Sequence, residues 1–413
     1  MPNMDEAQTK ANTRTQPAGL SGEELVARAA AMVPALRMRA QAAEEAGRIP
    51  EATFADAIKA DLFRTAVPRR FGGHEADFKY IPQIIREWGR GCSSSSWVLG
   101  FLMYHNFQHG HFPEKSQAEM WRPDGKGYTL SPGQIVPAGK AEPVEGGYRL
   151  TGMWPYASGI YHGDVMLMSA PVVGSGDGSG AAPEIRRFIM PISEVRILDT
   201  WQVSAMRATG SHNVEVDGVF VPEHRSVNVA EFRENLGPGL ELNTGPLWQV
   251  PMITYLMFGA VAVMLGGAEA VFELVTDILK DKVGAYDGVR FQQQMTTRVR
   301  LAEYQILLQS TRGLFDDKIA YVSEKVGRGE RLSREERMEM RMVISYIGRQ
   351  SAVLAQEVGQ MAGSRAKFLD SPIQRFQRDI SSLATHAAFE FENVGNQYGG
   401  MLLGVEPPPE AMI

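Results

Sequence analysis

His386 follows the pair Arg378-Asp379 with six residues between, and an imidazole is the side chain best placed to exchange a proton near neutral pH. Its plainer reading is a histidine satisfied on a packed helix. A second group runs Trp154-Pro-Tyr-Ala-Ser158-Gly159, with His162 shortly after. It offers an aromatic ring and a hydroxyl on a turn; equally, Ser-Gly is an ordinary turn pair. A third, Arg207-Ala-Thr209-Gly-Ser211, sets a guanidinium beside two hydroxyls, a donor set suited to developing negative charge. Its plainer reading is a surface arginine before a tight turn. Arg375 and Arg378 are candidates for a phosphate or a structural acid, and one of them is expected to pair with Asp379 or another acid.

His105-Asn-Phe-Gln-His109-Gly-His111 resembles a metal-ligand spacing. The first two histidines share a helix face, but the third points away and Gly110 ends the helix. No cysteine or spaced carboxylate supports a metal, so none is expected. Ser131, in Leu130-Ser-Pro-Gly133, offers a hydroxyl to a polar ligand group. The glycines from Gly174 to Gly180 lack the strand and helix of a dinucleotide fingerprint, so the chain is not expected to bind NAD(P)H.

These residues need elements to position them. Ser21 and Glu24 form a capping box before Leu25, Ala29, Met32 and Leu36. Helical spacing recurs through Phe54, Ile58 and Leu62, then Ile81 to Trp88 and Ser94 to Gln108. Between Gly127 and Val229 the texture changes to short alternating runs separated by Gly and Pro, which predicts strands at Tyr148–Thr151, Val165–Met168, Arg187–Met190 and Val214–Asp217. Helical spacing returns at Leu265–Lys282, Val289–Arg328, Arg334–Ala362 and Ile373–Tyr398. Residues 1–22 read as a frayed tail, 23–126 as a helical domain, 127–230 as a β domain and 231–413 as a helical bundle. Long amphipathic helices predict burial against another subunit as well.

The 413 residues are 44% hydrophobic and 22% charged, with a net charge of -6, so no basic stripe offers itself to nucleic acid. One cysteine, Cys92, excludes an internal disulfide framework and fits a reducing cytoplasm. The apolar run Val250–Leu265 is shorter than the roughly 20 residues of a membrane span. It reads as a buried helix, and no membrane association is expected.

The order helices, β domain, helices, with Glu145-Gly-Gly-Tyr-Arg-Leu-Thr-Gly-Met-Trp154 at its centre, resembles the acyl-CoA dehydrogenase superfamily. Arg69-Arg-Phe-Gly-Gly73, the block Thr200 to Ser211 and Val219-Phe-Val-Pro222 add to the resemblance. It implies an α+β fold with an N-terminal helical domain, a central β-barrel-like domain and a C-terminal four-helix bundle. The dehydrogenases usually carry a late catalytic Glu, whereas this chain reads Asn396-Gln-Tyr-Gly-Gly400 there. Glu269 or Glu273 would have to replace it. Trp154, Ser158 and His162, with Arg378-Asp379, His386 and His105, are instead similar to the two-component flavin monooxygenase branch, whose members include 4-hydroxyphenylacetate hydroxylase. Pro155 departs from that pattern.

That resemblance implies the following. Reduced FMN or FAD, delivered by a separate NAD(P)H:flavin reductase, reacts with O2 to a C4a-hydroperoxide that hydroxylates a phenolic or indolic substrate. Ser158 would bond flavin N5 and Trp154 pack on the ring. Arg207, Thr209 and Ser211 would hold the N1–C2 end, and Arg378 is a further flavin contact. His386 would act as base on the substrate, with His105, Ser131 and His162 around it. A cytoplasmic homotetramer is expected. The alternatives are an acyl-CoA dehydrogenase or oxidase, or an N- or S-oxygenase on the same fold.

Overall fold

The computed structural model describes residues 19–122, 125–176, 182–408 and 411–413. Most of the expected tail, and residues 177–181 of the glycine-rich loop, lie outside the described residues. Ser21 caps the first helix as expected, its Oγ accepting from Glu24 N at 3.1 Å; the Glu24 carboxylate turns to Arg28 instead of closing the box.

Among the described residues six helices come first: α1 (Gly22–Ala31), α2 (Val33–Ala46), α3 (Glu51–Lys59), α4 (Tyr80–Gly91), α5 (Ser93–His109) and α6 (Glu114–Met120). Seven strands follow: β1 (Lys140–Val144), β2 (Gly147–Ala157), β3 (Val165–Pro171), β4 (Ile185–Pro191), β5 (Arg196–Leu198), β6 (His212–Pro222) and β7 (Ser226–Asn228). They form two antiparallel sheets, ordered β1-β2-β6-β5 and β3-β4-β7. Their facing sides enclose a core of Leu150, Trp154, Met166, Met168, Phe188 and Val214. The remaining helices are α7 (Val229–Arg233), α8 (Met252–Asp281), α9 (Met295–Gly327), α10 (Arg334–Met361), α11 (Pro372–Leu383) and α12 (Phe391–Leu402).

The helices before and after the sheets share one continuous core, from Leu25 to Phe389. Glycine makes this contact close: a Cβ on Gly89 of α4 would lie 2.9 Å from the Val263 carbonyl oxygen, and one on Gly266 of α8 would clash with the Arg86 carbonyl. α8 is long and apolar enough to cross a membrane, but 83% of its apolar window is buried inside the fold. It is the central helix, packed on α4, α9, α10 and α11.

The C-terminal helix expected over Ile373–Tyr398 is two helices. α11 stops at Leu383, a short 3-10 turn covers Ala387–Phe389, and α12 starts at Phe391. His386 lies in the break, where its own side chain caps the turn. Side-chain capping competes with continued helix hydrogen bonding, and periodicity does not register it.

Candidate active site

Helical spacing on α5 puts Trp97, Phe101 and His105 on one face. Ring centroids are 4.2 Å apart for Trp97–Phe101 and 5.5 Å for Phe101–His105. The break after α11 brings His386 against this row, edge-on to Trp97 at 5.6 Å. Ser158, on the turn after β2, meets the same tryptophan, with its Oγ 3.1 Å from Trp97 Nε1. Residues from three distant parts of the chain thus converge on Trp97.

The two histidines hold their protons on opposite nitrogens. His105 Nδ1 donates to the Ser131 carbonyl at 2.6 Å, which leaves Nε2 as an acceptor. Burial lowers its pKa to about 3, with the nearby Arg187 charge acting in the same direction against the Ser131 bond, so it stays neutral. His386 Nδ1 accepts from Ala388 N at 3.1 Å, which leaves the proton on Nε2. Its ring edge reaches solvent, yet the protein packed around it also lowers its pKa. Taking up a second proton would need Nδ1 and would break the cap. His386 is therefore placed as a donor through Nε2, and the expected role as base meets a geometric obstacle. The acceptor in this cluster is His105.

Ser131 orients His105 by its carbonyl, and its hydroxyl lies 2.6 Å from His109 Nε2. It is fully buried, so it positions histidines and does not offer the hydroxyl expected for a ligand. Behind them Arg187 is buried without a carboxylate partner among the described residues. Its Nε donates to Gln108, its Nη1 to Gln134 O and Ser169 Oγ, and burial lowers its pKa to about 9.

Ser158, Ser211 and Thr209 join hydroxyl to hydroxyl: Ser158 Oγ is 2.7 Å from Ser211 Oγ, which is 2.6 Å from Thr209 Oγ1. Thr209 Oγ1 donates to Met206 O at 2.8 Å. Gly159 and Gly210, both at positive φ, let these two loops turn tightly; a Cβ on Gly159 would lie 2.8 Å from Val98 Cγ1 of α5. Met206 also has positive φ, and its amide donates to Asp379 Oδ1 at 2.6 Å. The Arg-Asp pair on α11 thus serves the loop through its aspartate. Burial raises the Asp379 pKa to about 6, against the Met206 amide that favours its charge.

Several expected contacts fall elsewhere. Trp154 is in the core between the sheets, fully buried, with Nε1 donating to Ser169 O at 2.8 Å, so it does not face this cluster. Strand alternation turns it inward. Trp97 is the ring at the site, and its spacing to His105 was visible in the sequence. His162 stacks on Phe54 of α3 at 3.9 Å and approaches Glu51, away from Ser158 and His386. Arg378 donates to Glu44, Gln374 and Ser204 O, and Arg375 to Glu44, so α11 is tied to α2 and both arginines pair with an acid as expected, that acid being Glu44 and not Asp379. The Arg378 guanidinium is thereby engaged within the fold. Arg207 is exposed, and its guanidinium makes no hydrogen bond or ion pair among the described residues. Among those residues no group of three His, Cys, Asp or Glu could hold a metal ion.

The replacement bases for a dehydrogenase are committed to arginines. Glu273 lies 2.8 Å from Arg37 and 2.5 Å from Arg90, and Glu269 is 3.8 Å from both Arg86 and Arg312. Neither belongs to the Trp97 cluster.

The donor set fits a reduced flavin. Such a ring carries N–H at N5 and negative charge at N1; the cluster offers a serine oxygen, and Arg207, two residues before Thr209, has a guanidinium without a partner among the described residues. Tyr156, exposed beside Trp201 at 6.1 Å, adds aromatic surface.

Residues 258–391 match the family described as "Acyl-CoA dehydrogenase, C-terminal domain". The oxygenase subunit HsaA of a flavin-dependent monooxygenase from Rhodococcus jostii is 28% identical, over 89% of this chain and 95% of its own. The oxygenase component of an FADH(2)-dependent resorcinol hydroxylase from Rhizobium sp. is 28% identical over 97% of both chains. The crystal structure of the HsaA monooxygenase from M. tuberculosis superposes with a TM-score of 0.88 at 25% identity, covering 95% of this chain and 100% of that one. The chain has the acyl-CoA dehydrogenase-like fold, and its homologues are flavin-dependent monooxygenase oxygenase components.

Proposed function

We propose that this chain is the oxygenase component of a two-component flavin monooxygenase that hydroxylates a phenolic or indolic substrate. The observation that carries the reading is the convergence of Ser158, Trp97 and His386, with His105 on the same helix face and no free carboxylate in the cluster. A reduced flavin, when bound, supplies the electrons that activate O2, and one oxygen atom ends on the substrate. The chain's own residues do the rest. Ser158 accepts from the flavin N5–H. Arg207 balances the charge at the pyrimidine end. His105 Nε2 accepts from a substrate hydroxyl or indole N–H and raises electron density on the ring. His386 donates through Nε2 to oxygen atoms that gain charge. Trp97 and Phe101 wall the site and exclude water.

A separate reductase supplies reduced FMN or FAD. We place the protein in the cytoplasm as a homotetramer; the assembly is supported by apolar residues left exposed on α9 and at the end of α12, Val299, Ile306, Leu402 and the following Leu403 among them. We divide the chain at 126/127 and 230/231, where the texture of the sequence changes; the second boundary falls inside α7, just after the last strand, β7.

The test is anaerobic mixing with chemically reduced FMN or FAD, then addition of isotopically labelled O2 with a panel of phenols and indoles. A ring-hydroxylated product carrying the label is expected. Reduction of bound FAD by an acyl-CoA thioester, with no labelled product, would overturn the reading.

A further inference from the structure

The hydroxyl chain leaves no freedom in where its protons go. Trp97 Nε1 can only donate, so Ser158 Oγ accepts there. At the other end Met206 O can only accept, so the Thr209 proton points to it. Thr209 must then accept from Ser211, and Ser211, with its one proton directed to Thr209, must accept from Ser158. Each hydroxyl has one proton, so all are assigned: Trp97 to Ser158 to Ser211 to Thr209 to Met206 O. Every member is closed off: Trp97, Ser158, Thr209 and Ser211 are each buried. Ser158 keeps one lone pair and no proton for anything else.

We infer that this chain locks Ser158 as an acceptor toward the site and so makes the protein select a reduced flavin over an oxidised one. Reduced flavin carries N–H at N5 and can donate to Ser158. Oxidised flavin has only a lone pair at N5, which faces the serine lone pair with no proton between them. Trp97, Ser211 and Thr209 are positioning residues that act through Ser158. The inference rests on Ser158 lying at N5 in the proposed function. It adds the reason a component served by a separate reductase would take up the reduced cofactor and release the oxidised one.

The test measures dissociation constants for oxidised FMN and FAD and, anaerobically, for their dithionite-reduced forms. A neutral hydrogen bond contributes about 1 kcal/mol and an opposed lone pair adds to the difference, so wild type should prefer the reduced form by at least roughly tenfold. Ser211→Ala removes the acceptor of the Ser158 proton and frees it to turn to the site. Affinity for the oxidised form should rise and that for the reduced form fall. Thr209→Val, which never touches Ser158, should shift the ratio the same way by letting Ser211 reverse. Thr209→Ser keeps the hydroxyl and should restore the wild-type ratio, which also controls for folding. Equal weakening of both redox forms in Ser211→Ala and Thr209→Val would overturn the inference while leaving the proposed function standing. Wild type that binds neither form would overturn both.

Discussion

At the level of single residues, His105 and Trp154 give opposite signatures. His105 holds its acceptor nitrogen toward the site because Ser131 O fixes the other one. His105→Phe should raise KM for a phenolic substrate by about tenfold, the worth of one lost hydrogen bond, with flavin affinity little changed. Steady-state kinetics at saturating reduced flavin measures it, and an unchanged KM would remove His105 from substrate contact. Trp154→Phe should do the reverse. It loses the bond to Ser169 O, costing about 1 kcal/mol in urea unfolding, and leaves flavin affinity within about a factor of two. A tenfold weaker flavin complex would instead bring Trp154 back to the cofactor. The sequence marked the loop that meets Trp97, since Ser158 follows Trp154 closely, but a motif does not say which face of a strand a residue takes. Trp97 was equally legible as the residue eight before His105 on one helix. It stands in a run of serines without a titratable neighbour, so nothing marked it as chemical.

Between elements, the decisive piece is the tie from α2 to α11. Glu44 accepts from Arg375 and Arg378, and these bonds hold its pKa below the usual carboxylate value despite its burial. Its charge therefore stabilises the fold above the unfolded carboxylate range, and that contribution is lost as pH falls through the lowered folded value. Glu44→Gln strands two guanidiniums, one of them buried, and should cost about 2 kcal/mol, less than a fully buried pair because Arg378 is partly exposed. Thermal unfolding near neutral pH measures this. If Arg378 were a flavin contact, freeing it should tighten flavin binding, so unchanged or weaker binding in Glu44→Gln supports the structural assignment. Helix existence and the β domain were readable from period and turn residues. The break after Leu383 was not, because residues 384–390 carry no Gly or Pro; the cap that ends the pattern is His386 itself, bonding two residues ahead.

For the whole molecule, burial of neutral histidines sets the response to acid. His105, His109 and His111 each have a pKa lowered to about 3, chiefly by burial, against an ordinary value of about 6.5. Below pH 6.5 the unfolded chain takes up protons at these positions and the folded chain does not, so stability falls as pH falls. Asp379 opposes this. Its pKa is raised to about 6, so the folded state binds a proton there before the unfolded state does. Burial also lowers the pKa of His162 and His386 and raises that of Glu269, so five histidines against two carboxyls leave acid destabilisation as the net result between pH 6 and 4. Asp61, held near 2 by His74 and Arg64 against its own desolvation, adds to the loss below the ordinary carboxylate range. His111 isolates the effect. It is fully buried against Phe107 and Phe232, and neither ring nitrogen has a hydrogen-bond partner among the described residues. Replacing it with an apolar ring of similar size removes one proton from the linkage without breaking a bond. His111→Phe should therefore flatten the acid limb, retaining about 2 kcal/mol more stability than wild type on going from pH 7.5 to pH 5. Urea unfolding at the two pH values reads the difference directly. Parallel pH profiles for variant and wild type would mean that His111 carries a proton in the folded protein, and that a partner reaches it inside the core.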